Sequence, residues 1–197
     1  MAIYYELDLL AEATVLRLAS DDTNRLRRAS VLALTQAVQQ LASSQDVKTL
    51  IITGNEHFFS AGADLNEIAA LTGPEAHEFS SMGQTLMNAV ANFPAPTYAA
   101  VRGYCMGGGL DLALSCRYRI AHPHAVFGHR GAALGLITGW GGTQRLPQLV
   151  GKARALEMFV AAEKLHADRA MQIGLVDCIA QDPVNEALRR TTAKTNQ

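Results

Sequence analysis

The sequence predicts an α/β fold with parallel strands, and three observations predict it. A short β-branched run over residues 48–54 reads as a buried strand, a long amphipathic helix follows over 75–93, and a second apolar strand returns over 97–103. Strand, long helix and strand in that order form a crossover, which joins parallel neighbours.

The other elements follow in order. Residues 2–9 and 13–19 alternate as two strands of a hairpin that turns near Ala11 and Glu12. Over 29–43, Val31, Leu34, Val38 and Leu41 recur at three and four residues and give a helix one apolar stripe. Residues 55–64 are polar and contain Gly62, which predicts a loop; a short helix is predicted over 65–70 before the break at Thr72, Gly73 and Pro74. Pro74 suits a first helical position. In the helix over 75–93, Phe79, Met82, Leu86 and Val90 share one side, and Pro94 and Pro96 close it. Helices are expected over 141–150, 152–162 and 167–173, a strand over 175–180 and a helix from Pro183, with the last residues, TTAKTNQ, frayed.

Composition limits the function classes. The 197 residues are 49% hydrophobic and 18% charged, room for one core-forming domain and at most an appendage. A net charge of -1 offers no field to gather polyanions, which argues against nucleic acid. No membrane span or secretory signal is expected, since the opening MAIYYELDLLAEA is acidic and broken. Cys105, Cys116 and Cys178 are odd in number and lack C-x-x-C spacing, which suggests reduced thiols in a cytoplasmic protein and no metal site.

Of the 16 glycines, 11 lie between Gly103 and Gly151, so composition alone marks that region. Direct reading excludes several motifs. Gly107, Gly109 and Leu112 fail G-x-G-x-x-G, Gly151 and Lys152 fail the P-loop, no serine sits in G-x-S-x-G, and His77 with Glu78 lacks the second histidine of H-E-x-x-H. Two glycine-containing turns remain, FSAGADL at 59–65 and GYCMGGGLD at 103–111, each after a predicted strand and leading into a helix. Glycine lets backbone approach a ligand, and a helix N-terminus presents free N–H groups with partial positive charge. Two such groups converging make an oxyanion hole.

Three linked motifs carry a resemblance: FFSAGADLNEI at 58–68, AAVRGYCMGGGLDLALSCRYRIA at 99–121 and GWGGTQRLPQLVGKARALEM at 139–158. With these the chain resembles the enoyl-CoA hydratase/isomerase family, also called the crotonase family. Weaker support comes from the hairpin, from Asn24, Arg25 and Leu26, and from HADRAMQIGLVD at 166–177. The resemblance implies a spiral of β-β-α units with two roughly perpendicular sheets, outer helices and a shortened C-terminal helical region. It divides the chain into a core at 1–182 and the start of that helical region at 183–197.

It also implies an acyl-coenzyme A substrate, no permanently bound cofactor beyond the coenzyme A of that substrate, and a homo-oligomer, trimer or hexamer. The Ala63 and Gly108 N–H groups would bind a thioester carbonyl, with Ala61, Asp64 and Leu65 near the adenine and pantetheine path. Preorganised donors stabilise the charge of a forming enolate, and one such donor is worth about 3–4 kcal/mol. The family's hydratases use two glutamates. The first falls on Asp111, three residues after Gly108 and so about one turn on, on the same helix face. The second falls on Gly131, which carries no side chain. His129 and Arg130 are the nearest replacements: imidazole shuttles protons near neutral pH, and Arg130 donates to an anion.

The enoyl-CoA hydratase/isomerase reading therefore stands beside a malonyl-type decarboxylase or thioester hydrolase, and beside a non-catalytic acyl-CoA-binding or assembly subunit. Each residue also has a plainer role: Asp111 as a first-turn acid, His129 as a hydrogen-bonded loop histidine, Arg130 as a solvated charge, and Trp140 as packing.

Overall fold

The computed structural model describes residues 3–195. Strands β1 (Tyr5–Leu9) and β2 (Ala13–Leu18) form the expected antiparallel hairpin, with Leu7 opposite Leu16. Helix α1 (Arg28–Ala42) follows β3 (Arg25–Leu26) and buries Val31, Leu34 and Val38, the stripe its spacing predicts. Strand β4 (Thr49–Thr53) then pairs parallel with β2.

Helix α3 (Gly73–Ala91) begins at a capping box in which the Glu75 carboxylate accepts from Thr72 N at 2.8 Å, and Pro74 lies in its first turn. It crosses back to β7 (Thr97–Val101), which pairs parallel with β4, as the strand, helix and strand order requires. With β9 (Tyr118–Ala121) and β12 (Cys178–Ile179) these strands complete a six-stranded sheet in the order β1-β2-β4-β7-β9-β12. Every residue of β4 and β7 is buried. One face of the sheet packs on α1 and α3; on the other, Ile51, Tyr98 and Ile120 meet Ala187, Val184 and Leu188 of α8 (Pro183–Thr195). A continuous apolar run is what burial on both faces demands. Thr191–Thr195, expected to fray, continue α8, and Thr191 is buried; Asn196 and Gln197 lie outside the described residues.

A second, four-stranded sheet corrects the loop expected over 55–64. It contains β5 (Phe58–Ser60), β8 (Tyr104–Met106), β10 (Val126–Gly128) and β11 (Leu165–His166), in the order β11-β10-β8-β5. Within the same expected loop, β6 (Gly62–Ala63) pairs with β3. Strands of two or three residues leave no periodicity to read, and their partners supply the order that their own sequence lacks.

Helices α2 (Leu65–Ala69), α4 (Gly108–Ser115), α5 (Gly142–Val150), α6 (Lys152–Ala161) and α7 (Ala167–Gln172) complete the layers, with a 3-10 turn at Gly131–Leu134. Among the described residues no helix is long and apolar enough to cross a membrane.

Candidate active site

The two glycine turns meet. Strands β5 and β8 run parallel and deliver β6 and the start of α4 side by side. At Gly62, with φ +90°, a β-carbon would lie 2.6 Å from Met106 O and 3.0 Å from Gly108 N, so only glycine permits the approach. Gly107 caps α4 with φ 50°, again a left-handed position, and leaves Gly108 as the first helical residue, whose N–H has no intrahelical acceptor.

Asp64 N donates to Leu26 O at 3.2 Å. Successive N–H groups of a strand point to opposite sides, so the Ala63 N–H points away from β3 and towards α4. A β-carbon built on Gly108 would lie 3.4 Å from Ala63 N, which brings both donors to one small volume. The scaffold behind them is polar and committed. Asn24 Nδ2 donates to Phe58 O at 3.0 Å, Ser60 Oγ donates to Asn24 O at 2.7 Å, and Gly62 N donates to Ser60 Oγ at 3.1 Å.

The donors open on a cavity of about 790 Å³ walled largely by apolar side chains. Ala61, Ala63, Leu65, Gly108, Asp111, His129 and Arg130 all line it. Asp64 does not line it. Its buried carboxylate accepts from Asn66 N at 2.9 Å and Glu67 N at 3.3 Å at the start of α2, and from Arg27 Nε at 2.8 Å, a pairing that lowers its pKa. Asp64 thus holds the turn that carries Ala63.

Asp111 is the fourth residue of α4 and is 1% exposed. The Thr138 hydroxyl donates to its Oδ2, and its Oδ1 lies 3.3 Å from His129 Nε2. That distance brings the two atoms into contact without the alignment of a hydrogen bond, and neither has another partner. Burial pushes the Asp111 carboxyl up to about 7 against the opposing pull of the Thr138 hydroxyl and the Arg145 charge. Burial also pushes the His129 imidazole down to about 4. Both shifts have one cause, the low polarity of the surroundings, and both disfavour charge on the pair. The ring, buried just after β10, stands 5.1 Å from that of Phe159.

Arg130 is exposed on the rim of the cavity. Gly131, expected from the resemblance at the second glutamate position, opens the 3-10 turn, where Leu136 N donates to Gly131 O at 2.9 Å. A β-carbon there would lie 2.7 Å from Leu136 O, so the backbone leaves no room for a side chain. Thr138 and Arg145 escaped the sequence reading. The hydroxyl that holds Asp111 is 27 residues away, in a segment with no periodicity, although Arg145 sits within the quoted third motif.

Known proteins agree with this architecture. The sequence model of the enoyl-CoA hydratase/isomerase family matches residues 12–197. A probable enoyl-CoA hydratase of Bacillus subtilis is 39% identical over 169 residues, 85% of this chain and 66% of that protein. A crotonyl-CoA hydratase of Syntrophomonas wolfei is 40% identical over 159 residues, 80% of this chain and 61% of that protein. The chain therefore spans somewhat less than two thirds of the length of these relatives. Among solved structures, Pseudomonas aeruginosa DspI superposes with a TM-score of 0.94 at 33% identity, over 98% of this chain and 75% of that one. The enoyl-CoA hydratase of Bacillus anthracis superposes with a TM-score of 0.93 at 30% identity, over 99% and 78%. On its fold, its two facing glycine turns and these matches, the chain belongs to the enoyl-CoA hydratase/isomerase family.

Proposed function

We propose that the chain is an acyl-coenzyme A thioester enzyme of the hydratase/isomerase type, in which Ala63 and Gly108 hold the thioester carbonyl and Asp111 moves the proton. The observation that carries this reading is the convergence of two backbone N–H groups on a cavity that also holds a buried carboxyl one helical turn away. The carbonyl oxygen accepts from both donors, and charge builds on it as water adds to C3 of an enoyl thioester. Asp111, as carboxylate, takes the proton from that water, and the resulting enolate collapses by accepting the proton at C2. One carboxyl then serves as base and acid in turn, a task that suits a group titrating near neutral pH.

His129 Nε2 faces one carboxylate oxygen across the 3.3 Å gap, and Thr138 fixes the other. Ala61 and Leu65 border the coenzyme A path, Asp64 positions the hole, and Arg130 meets anionic parts of the ligand at the rim. Coenzyme A enters as part of the substrate. Exposed Leu134, Ile137, Leu156 and Val160 beside the cavity support a homo-oligomer, and the free Cys105, Cys116 and Cys178 support a cytoplasmic setting.

Asp111→Asn tests the reading. Turnover of crotonyl-CoA is expected to fall by about 10²–10⁴-fold while butyryl-CoA binds with unchanged affinity in calorimetry. Undiminished turnover in the variant would remove Asp111 from the chemistry.

A further inference from the structure

The wall beside the two donors is made by one side chain. Trp140 is 4% exposed and still lines the cavity. Its Nε1 donates to Phe79 O at 3.3 Å, and its ring meets that of Phe79 edge-on with centroids 5.3 Å apart. A β-carbon on Gly83 of α3 would collide with the pyrrole side of the indole; one on Gly108 of α4 would collide with the six-membered ring. The indole therefore fills the gap between two helix backbones, each of which has given up its side chain to admit it. The Gly108 position that touches the ring also lies 3.4 Å from Ala63 N, so the ring edge flanks the point where both donors converge.

Given the thioester reading above, on which this rests, we infer that Trp140 determines specificity at C2 of the acyl group: the site takes unbranched acyl thioesters and rejects those with a methyl on C2. A carbonyl oxygen held by Ala63 and Gly108 places C2 two bonds away, alongside the six-membered ring. A methyl on that side meets an aromatic wall that has no free direction of retreat, because two backbones, a hydrogen bond and Phe79 fix it. Further along, Leu71, Ala76 and Ile137 leave an apolar path open for a straight chain.

Calorimetry on the full chain with butyryl-CoA and 2-methylpropanoyl-CoA tests this without requiring turnover. The wild type is expected to bind the straight thioester about 10–200-fold more tightly, the range that one methylene commands in an apolar pocket. Trp140→Ala is expected to lose most of that preference by gaining affinity for the branched thioester. Trp140→Phe, which keeps an aromatic ring beside Phe79, serves if the alanine variant does not fold, and is expected to lose part of it. Equal binding of the two thioesters by the wild type, or a variant that weakens both alike, overturns the inference alone. No binding of either thioester overturns the reading of the hole and this inference with it.

Discussion

The two halves of the site are built from different materials. The proposed hole at Ala63 and Gly108 is backbone, set by two short parallel strands, a left-handed Gly107 and a close approach at Gly62, and pinned by Asn24, Ser60 and Asp64. The half proposed to handle the proton is side chains: Asp111 on α4, with His129 and Thr138 beside it on the segment that runs from β10 to α5. In that segment Ala132, Leu134 and Ile137 are exposed and Gly135 is left-handed. A backbone site cannot change one residue at a time without moving its turns. A side-chain site can, and on the proposed reading Gly131 in place of a second carboxylate is such a change beside a hole that keeps its turns.

The comparison predicts unequal consequences. Beyond the loss already expected for Asp111→Asn, a large effect is expected at the backbone half. Gly108→Ala pushes a methyl into Trp140 and towards Ala63 N, and kcat/KM should fall by about 10²–10³, the cost of one lost oxyanion donor. Adding Trp140→Ala removes the collision and should restore part of that loss in steady-state kinetics. If Gly108→Ala alone were fully active, the hole would lie elsewhere.

A smaller effect is expected in pH dependence, which reports the side-chain half. In the proposed mechanism Asp111 acts as the carboxylate, so kcat/KM should rise with a midpoint at about 7 and level off above it. Stability has the opposite sign. The Asp111 carboxyl titrates at about 7 in the folded chain against an ordinary 3.8, so the stability it contributes at low pH is lost as pH rises through about 7. Asp111→Asn removes that loss. Its Tm should exceed the wild type's, by a margin that widens from about pH 4 to 7, levels off above that and amounts to about 2–4 °C per kcal/mol relieved. A margin independent of pH would remove the buried carboxyl as its cause.

The smallest effect is expected at Gly131. Gly131→Glu supplies the carboxylate this chain lacks, but its β-carbon meets Leu136 O. Activity should not rise, and the melting temperature should drop by the degrees that about 1–3 kcal/mol of overpacking implies. A gain in hydration rate would show that the segment can rearrange and that the missing carboxylate limits the enzyme.

The backbone half was the more legible in sequence. Glycines at fixed offsets after apolar runs mark turns whatever surrounds them, and Asp111 followed from the family resemblance, its spacing to Gly108 adding only that the two share a helix face. The six-stranded sheet was legible for the same reason, since β4, α3 and β7 carry long, regular patterns. Contacts across space were not legible: Thr138 on Asp111, the indole between Gly83 and Gly108, and the turn of Asp64 away from the cavity each depend on where a distant segment lands. Likewise β5 and β6 are too short to announce themselves and exist because β8 and β3 offer them partners.

The central claim is that one carboxyl beside a backbone hole adds water to an enoyl thioester. Incubating crotonyl-CoA with the protein in heavy water and weighing the product tests it most directly. A 3-hydroxybutyryl thioester carrying one carbon-bound deuterium at C2 is expected from the wild type, formed about 10²–10⁴-fold more slowly by Asp111→Asn. Crotonyl-CoA recovered unchanged from the wild type, or hydrated equally well by the variant, would contradict it.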